Sequence, residues 1–253
     1  MPFEEEQQPG PNGATEAAVP AGPKTIAVIF PHPDDAEFLC GGAVARWVAE
    51  GHEVTYVLLT SGDKGSDNRE LTTEQLIATR EAEQRAACAV LGVKEVVFLH
   101  HEDAMLVNDI TLRRELTRVI RRLKPDVVVT FDPTVRWASK NYFNHPDHRV
   151  TGDVTIDAIY PAARDRRTFP ELLAEGLEPH KVSEVYLAGT NSADLYVDIS
   201  DYFDMKLKAL RAHVSQFGDW DVEDAVREWA REGGQQADPP VEYAEAFRHF
   251  ELA

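Results

Sequence analysis

The chain has 253 residues, 43% apolar and 28% charged, values that suit a globular protein with a sizeable core and exclude a wholly disordered or membrane-embedded chain. With 44 Asp and Glu against 26 Lys and Arg, the formal charge is −18, a poor balance for gripping a nucleic-acid backbone or an anionic membrane. Two cysteines, Cys40 and Cys88, make neither a disulfide scaffold nor a thiolate metal site; with no basic leader and no apolar run of about 20 residues, a reducing, cytoplasmic setting is expected.

Residues 1–23 are mostly Pro, Gly, Ala, Glu and Gln, with Phe3 and Val19 among the few larger apolar residues, and are expected to be a disordered tail. The run 25–30 is continuously apolar and β-branched, as in a strand buried on both faces. Residues 37–50 follow with helical period, placing Leu39, Ala43, Val44, Trp47 and Val48 on an apolar side before Gly51 stops them. The alternation then repeats: strand 54–60, helix 73–91 ended by Gly92, strand 95–99, helix 111–123 ended by Pro125, and strand 126–131. Strands joined by helices predict right-handed crossovers and an α/β, Rossmann-like doubly wound, mostly parallel sheet with helices on both faces. Beyond it, 185–188 and 195–199 have strand character and 204–213 and 222–231 helical character, with Gly233-Gly234 and Pro239-Pro240 expected to break the chain before a tail helix. Residues 24–253 show no linker and are taken as a single domain.

In an open parallel sheet, ligands bind beyond the carboxyl ends of the strands. Four such loops are crowded with titratable groups: 31–37 (Pro-His-Pro-Asp-Asp-Ala-Glu), 61–65 (Ser-Gly-Asp-Lys-Gly), 100–103 (His-His-Glu-Asp), and 132–148, which closes on Asn144-His145-Pro146-Asp147-His148. A dinucleotide site would carry G-x-G-x-x-G after the first strand; here proline and carboxylates fill that loop, and Gly41-Gly42 come too late. Imidazole and carboxylate are ligands zinc favours, and a catalytic zinc needs three of them with one position left for water. The clusters His32-Pro33-Asp34-Asp35 and His145-Pro146-Asp147-His148 can together supply three ligands and a base. Taken alone, either cluster is equally explained as a strand-to-helix turn in which an Asp caps the helix.

The segment 31–37, the Gly41-Gly42 pair and the segment 145–148 resemble the two signature motifs of the LmbE-like (PIG-L) zinc-dependent N-deacetylases, which remove acetyl from N-acetylglucosaminyl groups on a Rossmann-like sheet. The resemblance runs from about Lys24 to Phe217. It implies one zinc per chain held by His32, Asp35 and His148, Asp34 as general base, His145 facing the oxyanion, and Asp147 orienting His145. Through Thr60-Ser61-Gly62-Asp63, Arg80 with Glu83, and Asp103, it implies Asp63, Arg80 and Asp103 near the substrate, although a solvated ion pair is the ordinary setting for an arginine such as Arg80. The segment His213-Val214-Ser215-Gln216 matches too, with no role read for it. Some members place a tyrosine two residues before the first histidine of the second motif; this chain has Phe143 there, with Tyr142 displaced by one.

The chemistry of the residues agrees, since zinc acidifies bound water and polarises an acyl carbonyl while a non-ligating Asp34 takes the proton. The expected partner is a small N-acetylated amino sugar or conjugate, with no nucleic acid or membrane and with a homo-oligomer left open. The competing readings are a non-catalytic sugar- or metal-binding module, which has no use for Asp34, and another metal-dependent amidase. A metal phosphoesterase would need more bridging carboxylates or cationic clamps. His100 and His101 receive no role, Cys40 is taken as a core residue, and the stretch 164–179 carries no readable substrate code.

Overall fold

The computed structural model describes residues 13–15, 22–217 and 221–253. In chain order these form β1 (Gly13–Thr15), β2 (Thr25–Phe30), α1 (Asp35–Ala49), β3 (Glu53–Thr60), α2 (Thr73–Leu91), β4 (Glu95–His101), α3 (Ile110–Leu123), β5 (Val127–Phe131) and α4 (Pro146–Asp157). A π-helical segment (Ala158–Ala163) extends α4 and leads to α5 (Glu171–Ala174), β6 (Glu184–Ala188), β7 (Leu195–Asp198), a 3₁₀ turn (Ser200–Tyr202), α6 (Phe203–Leu210), α7 (Val214–Phe217), α8 (Val222–Gln236), β8 (Ala237–Asp238) and β9 (Ala244–Glu251).

One nine-stranded sheet, ordered β4-β3-β2-β5-β6-β9-β7-β1-β8, carries the fold. Its pairings are parallel except those of β9, which runs antiparallel between β6 and β7. Alternate residues of β2 feed opposite cores: Ile26, Val28 and Phe30 pack with Trp47 and Tyr56 on one face, and Ala27 and Ile29 pack with Leu116 and Ile120 on the other. A sheet buried on both faces is why its central strands are apolar runs without polar alternation. Local signals end the helices where expected. Thr72 and Gln75 form a reciprocal capping box at the start of α2, and Gly92 closes it in the left-handed region at φ +76°. No helix among the described residues is long and apolar enough to cross a membrane.

Three expectations fail, each for a tertiary reason. Helix α8 runs through Gly233-Gly234 to Gln236, because a Cβ at Gly233 would meet the Ala244 carbonyl at 2.5 Å and one at Gly234 the Val241 carbonyl at 2.4 Å. These glycines permit close approach of the returning chain and do not break the helix. The expected tail helix is strand β9: residues 244–251 contain good helix formers, but β6 and β7 each offer an open edge, and residues 244–247 pair with β7 while 247–251 pair with β6. Within the tail expected to be disordered, residues 13–15 form β1, paired with β7 and β8, so that expectation is corrected for these three; residues 1–12 and 16–21 lie outside the described residues.

Candidate active site

The first cluster lies between β2 and α1. His32 donates its backbone N–H to Asp35 Oδ2 at 2.9 Å, and its ring Nδ1 meets the same oxygen at 3.0 Å. Asp34 occupies the left-handed region at φ +90°, a conformation that a non-glycine residue holds only when its surroundings enforce it. The enforcing groups come from α2. Arg80 donates to Asp34 Oδ2 at 3.1 Å, to the Pro33 carbonyl at 2.7 Å and to the Gly62 carbonyl at 3.1 Å, while Gln84 Oε1 accepts the Asp34 N–H at 3.1 Å. Gly62, at φ +63°, makes room for this arginine: a Cβ there would lie 1.9 Å from Arg80 Nη1.

The second cluster closes the loop between β5 and α4. Pro146 starts α4, where its missing N–H costs nothing, and His145 precedes it with ring Nδ1 accepting the Asp147 N–H at 3.2 Å. Asn144 donates to the Val135 carbonyl at 2.8 Å, which turns its Oδ1 to His148 Nδ1 at 2.8 Å. The His148 ring stacks on Phe131 at 3.9 Å between centroids. Asp147 is fully buried and its carboxylate accepts the N–H groups of Ala104 and Leu106, tying the loop after β4 to the same centre.

The clusters face each other with an unusual charge pattern. His148 Nε2 lies 3.2 Å from Asp35 Oδ1, and His32 Nε2 lies 3.0 Å from Asp103 Oδ1 and 3.4 Å from Asp147 Oδ2. The Nδ1 hydrogen bonds assign each ring's proton to Nδ1, so in the neutral tautomers both Nε2 atoms aim a lone pair at a carboxylate oxygen. His32 Nε2 is buried with no aligned hydrogen bond. Lone pairs facing lone pairs need a cation between them, either a proton or a metal ion, and imidazole with carboxylate is a donor set that suits zinc. The residues therefore fit a metal. Two groups bring all their ligand atoms within 4.8 Å of one another: His32, His145 and His148; and His32, Asp103, His145 and Asp147. Asp35 touches His32 and His148 but belongs to neither group.

Titration follows the same logic. Burial pulls His32 down, yet Asp35, Asp103 and Asp147 outweigh it and hold the imidazole well above its ordinary value. Burial raises Asp35, but the charges of His148 and His32 win and keep it well below the carboxylate range. Burial also dominates at Asp34, this time against weaker opposition from Arg80, and with Asp35 adding to it the carboxyl is pushed up to about 6. His145 moves the other way: burial lowers it, as do the neighbouring His32 and His148, and Asp147 does not compensate.

The profile of the PIG-L family, described as GlcNAc-PI de-N-acetylase, matches residues 27–159 and so spans both clusters. The chain belongs to the PIG-L family. It is 36% identical over 194 residues to the diacetylchitobiose deacetylase of Thermococcus kodakarensis, covering 77% of this chain and 70% of that one. It is 29% identical over 245 residues to the 1D-myo-inositol 2-acetamido-2-deoxy-alpha-D-glucopyranoside deacetylase of Actinosynnema mirum, covering 78% and 82%. Among solved structures, the N,N'-diacetylchitobiose deacetylase of Pyrococcus horikoshii, complexed with an inhibitor, superposes with a TM-score of 0.84 at 34% identity over 90% of this chain and 84% of that one.

The structure of this PIG-L chain brings His32, Asp34, Asp35, His145, Asp147 and His148 together, and also Asp63, Arg80 and Asp103, each with partners of its own. Arg80, expected at the substrate, is 4% exposed and engaged with Asp34 and two carbonyls, because α2 packs its guanidinium under the Gly62 turn. Asp63 accepts the Asp103 N–H at 2.8 Å, and Asp103 turns its carboxylate to His32, so both are occupied by the protein. Asp147, expected to orient His145, meets it through its backbone N–H, while its carboxylate serves the loop after β4 and His32. With Nδ1 accepting the Asp147 N–H, a neutral His145 carries its proton on Nε2, and burial with the neighbouring His32 and His148 lowers its pKa. His101 pairs with Glu115, and His100 lies outside the centre beside Ser61 and Glu81. Tyr142 and Phe143 are both exposed, and Cys40 is buried with its thiol raised by burial, as suits a core residue. Asn144, Gln84, Glu37 and His213 carry no role in the sequence reading, although all but Gln84 stand in the segments it singles out. The i,i+4 spacing of Arg80 and Gln84 on one helix face was the available signal for Gln84.

Proposed function

We propose that this protein hydrolyses the acetamide of an N-acetylglucosamine-type sugar or conjugate, with one zinc ion held by His32, Asp35 and His148 and with Asp34 as general base. It is a hydrolytic N-deacetylase of its family. The observation that carries the reading is Asp34: a carboxylate beside the ligand cluster but outside it, clamped by Arg80, with burial pushing it up to about 6, where a base exchanges protons readily near neutral pH. Zinc, when bound, supplies the Lewis acid that acidifies the attacking water and polarises the acetyl carbonyl. Asp34 takes the water's proton and passes it to the departing amine. His145, its Nδ1 occupied by the Asp147 N–H, turns an Nε2–H toward the developing oxyanion and stabilises it without needing a positive charge. Asp103 and Asp147 hold His32, and Asp63 holds the Asp103 loop. A binding module would gain nothing from a non-ligating carboxylate kept in a costly backbone conformation. Cytoplasmic residence belongs to the same proposal, supported by two free, buried cysteines.

Metal-replete protein should release acetate from N-acetylglucosamine conjugates, and Asp34→Asn should keep its metal while kcat falls about 10²- to 10⁴-fold. Parental turnover by Asp34→Asn would remove Asp34 as the base.

A further inference from the structure

Behind Asp34, on the side away from the metal cluster, runs a buried polar chain that neither the ligand set nor the base requires. Gln84 Oε1 accepts the Asp34 N–H at 3.1 Å, Gln84 Nε2 donates to Glu37 Oε1 at 2.9 Å, and Glu37 Oε2 meets His213 Nε2 at 3.2 Å. All three side chains have no measurable exposure. Glu37 is an acceptor, so it fixes the Gln84 amide with nitrogen inward and oxygen toward Asp34. His213 is anchored in turn: the next turn of chain is fastened to α2, with Ser215 N and Oγ each donating to Glu83 at 2.7 Å. The chain is thus tied to α2 at both ends; at one end it meets the backbone N–H of a residue held at φ +90°, and at the other His213 Nδ1 is buried without a hydrogen bond. Three buried polar groups are an expensive way to fill space that apolar side chains fill as stably. Satisfying that single N–H is the function their geometry serves.

We propose that Gln84, backed by Glu37 and His213, is a positioning residue that locks Asp34 in its left-handed conformation and so aims its carboxylate at the attacking water. This rests on the assignment of Asp34 as the base. Arg80 grips the carboxylate; Gln84 fixes the backbone from which that carboxylate projects, and the two constraints together leave Asp34 one direction. The role is distinct from that of a ligand holder, since none of the three side chains bonds to the side chain of His32, Asp35 or His148.

The test is a cycle of variants on metal-replete protein, reading kcat, KM and bound metal per chain. Gln84→Met keeps the volume and removes the acceptor, and should lower kcat about tenfold to a hundredfold, the cost of misplacing a catalytic group by about an ångström, with KM and metal content unchanged. In the Asp34→Asn background the same substitution should cost nothing further, to within about twofold, because the group it positions is gone. The exchange Glu37→Gln with Gln84→Glu keeps the hydrogen bonds from Asp34 through positions 84 and 37 to His213 with the amide and carboxylate swapped, losing only the 3.7 Å contact to Cys88 Sγ. Read at its own pH optimum, because a carboxylate now lies against Asp34, it should restore kcat toward the parent. Losses that multiply in the double variant, a loss confined to KM or metal content, or a folded exchange variant as slow as Gln84→Met would each overturn the proposal. Should Gln84→Met not fold, the exchange variant decides alone: parental kcat supports the positioning role and a slow, folded protein removes it. The two readings fail separately, since parental turnover in Asp34→Asn removes the base, whereas a slow Asp34→Asn with multiplying losses removes Gln84 as its positioner.

Discussion

The clusters at 32–35 and 144–148 both join a strand end to a helix, but the first is fixed from afar and the second largely by itself. Asp34 depends on Arg80 and Gln84, 46 and 50 residues away in sequence. His148 depends on Asn144, four residues away, and His145 on the N–H of Asp147, two away. The difference follows from the backbone. Pro146 at the first position of α4 presets a helix start that any chain adopts, so side chains of the second cluster are aimed by local geometry. Asp34 stands where no local preference would put it, and another helix must hold it there. Similar residue types are thus held in a cheap conformation in one cluster and in an enforced one in the other.

The largest expected effect breaks the cation site shared by both clusters. His32→Ala and His148→Ala should each lose bound metal and all activity, because either leaves an incomplete site. Asp35→Ala should lose the metal as well, and His145→Ala should keep it; metal analysis that finds the reverse would assign the third ligand to His145, in line with the grouping of the three imidazoles.

An intermediate effect sharpens the local side of the comparison. Asn144→Ala frees the His148 ring to rotate while removing no ligand, and should weaken metal affinity about 10- to 100-fold, as loss of a ligand's hydrogen-bond partner does. Competition with a chelator measures it. Unaltered affinity would mean that stacking on Phe131 alone orients His148.

The smallest effect concerns the long-range side and is one of stability. Burial lowers the pKa of His213, but the hydrogen bond and charge of Glu37 overcome it, with Asp34 and Glu83 adding, so the folded imidazole titrates above its ordinary value. A group with its pKa raised by folding contributes stability that is fully present below the unfolded value of about 6.5 and is lost as pH rises through the folded one. The margin in Tm of the parent over His213→Gln should therefore be widest in mild acid and narrow as pH rises above neutrality. A margin that widens with pH would show that the buried pair is held with His213 neutral.

How far the site was legible can be judged residue by residue. Helices α2 and α3 carry their own stops, in Gly92 and in Lys124 ahead of Pro125, and their ends stand in the sequence. The two His-Pro clusters were visible because strand-end loops in a parallel sheet must converge, whichever side chains they bear. Arg80 was visible, but its burial was not: a charged residue on a helix among other charges looks solvated, and nothing local says that a glycine turn 18 residues earlier opens a slot for it. The sequence placed Asp147 beside His145, but that its carboxylate reaches the N–H groups of Ala104 and Leu106 was decided by where the loop after β4 arrives.

Composition, hydrophobic period and cap residues by themselves determined that this chain alternates strand and helix, builds a parallel sheet and gathers histidines and carboxylates at one edge of it. Those are consequences of short-range hydrogen bonding and of burial that repeats with each element's period. The tertiary structure alone decided that residues 244–251 become a strand, that Asp34 sits at positive φ, and that Gln84, Glu37 and His213 line up behind Asp34. Each of these depends on a partner tens of residues away or on an atom that only packing brings within 3.5 Å, and local energetics of a few tenths of a kcal/mol per residue yield to such contacts.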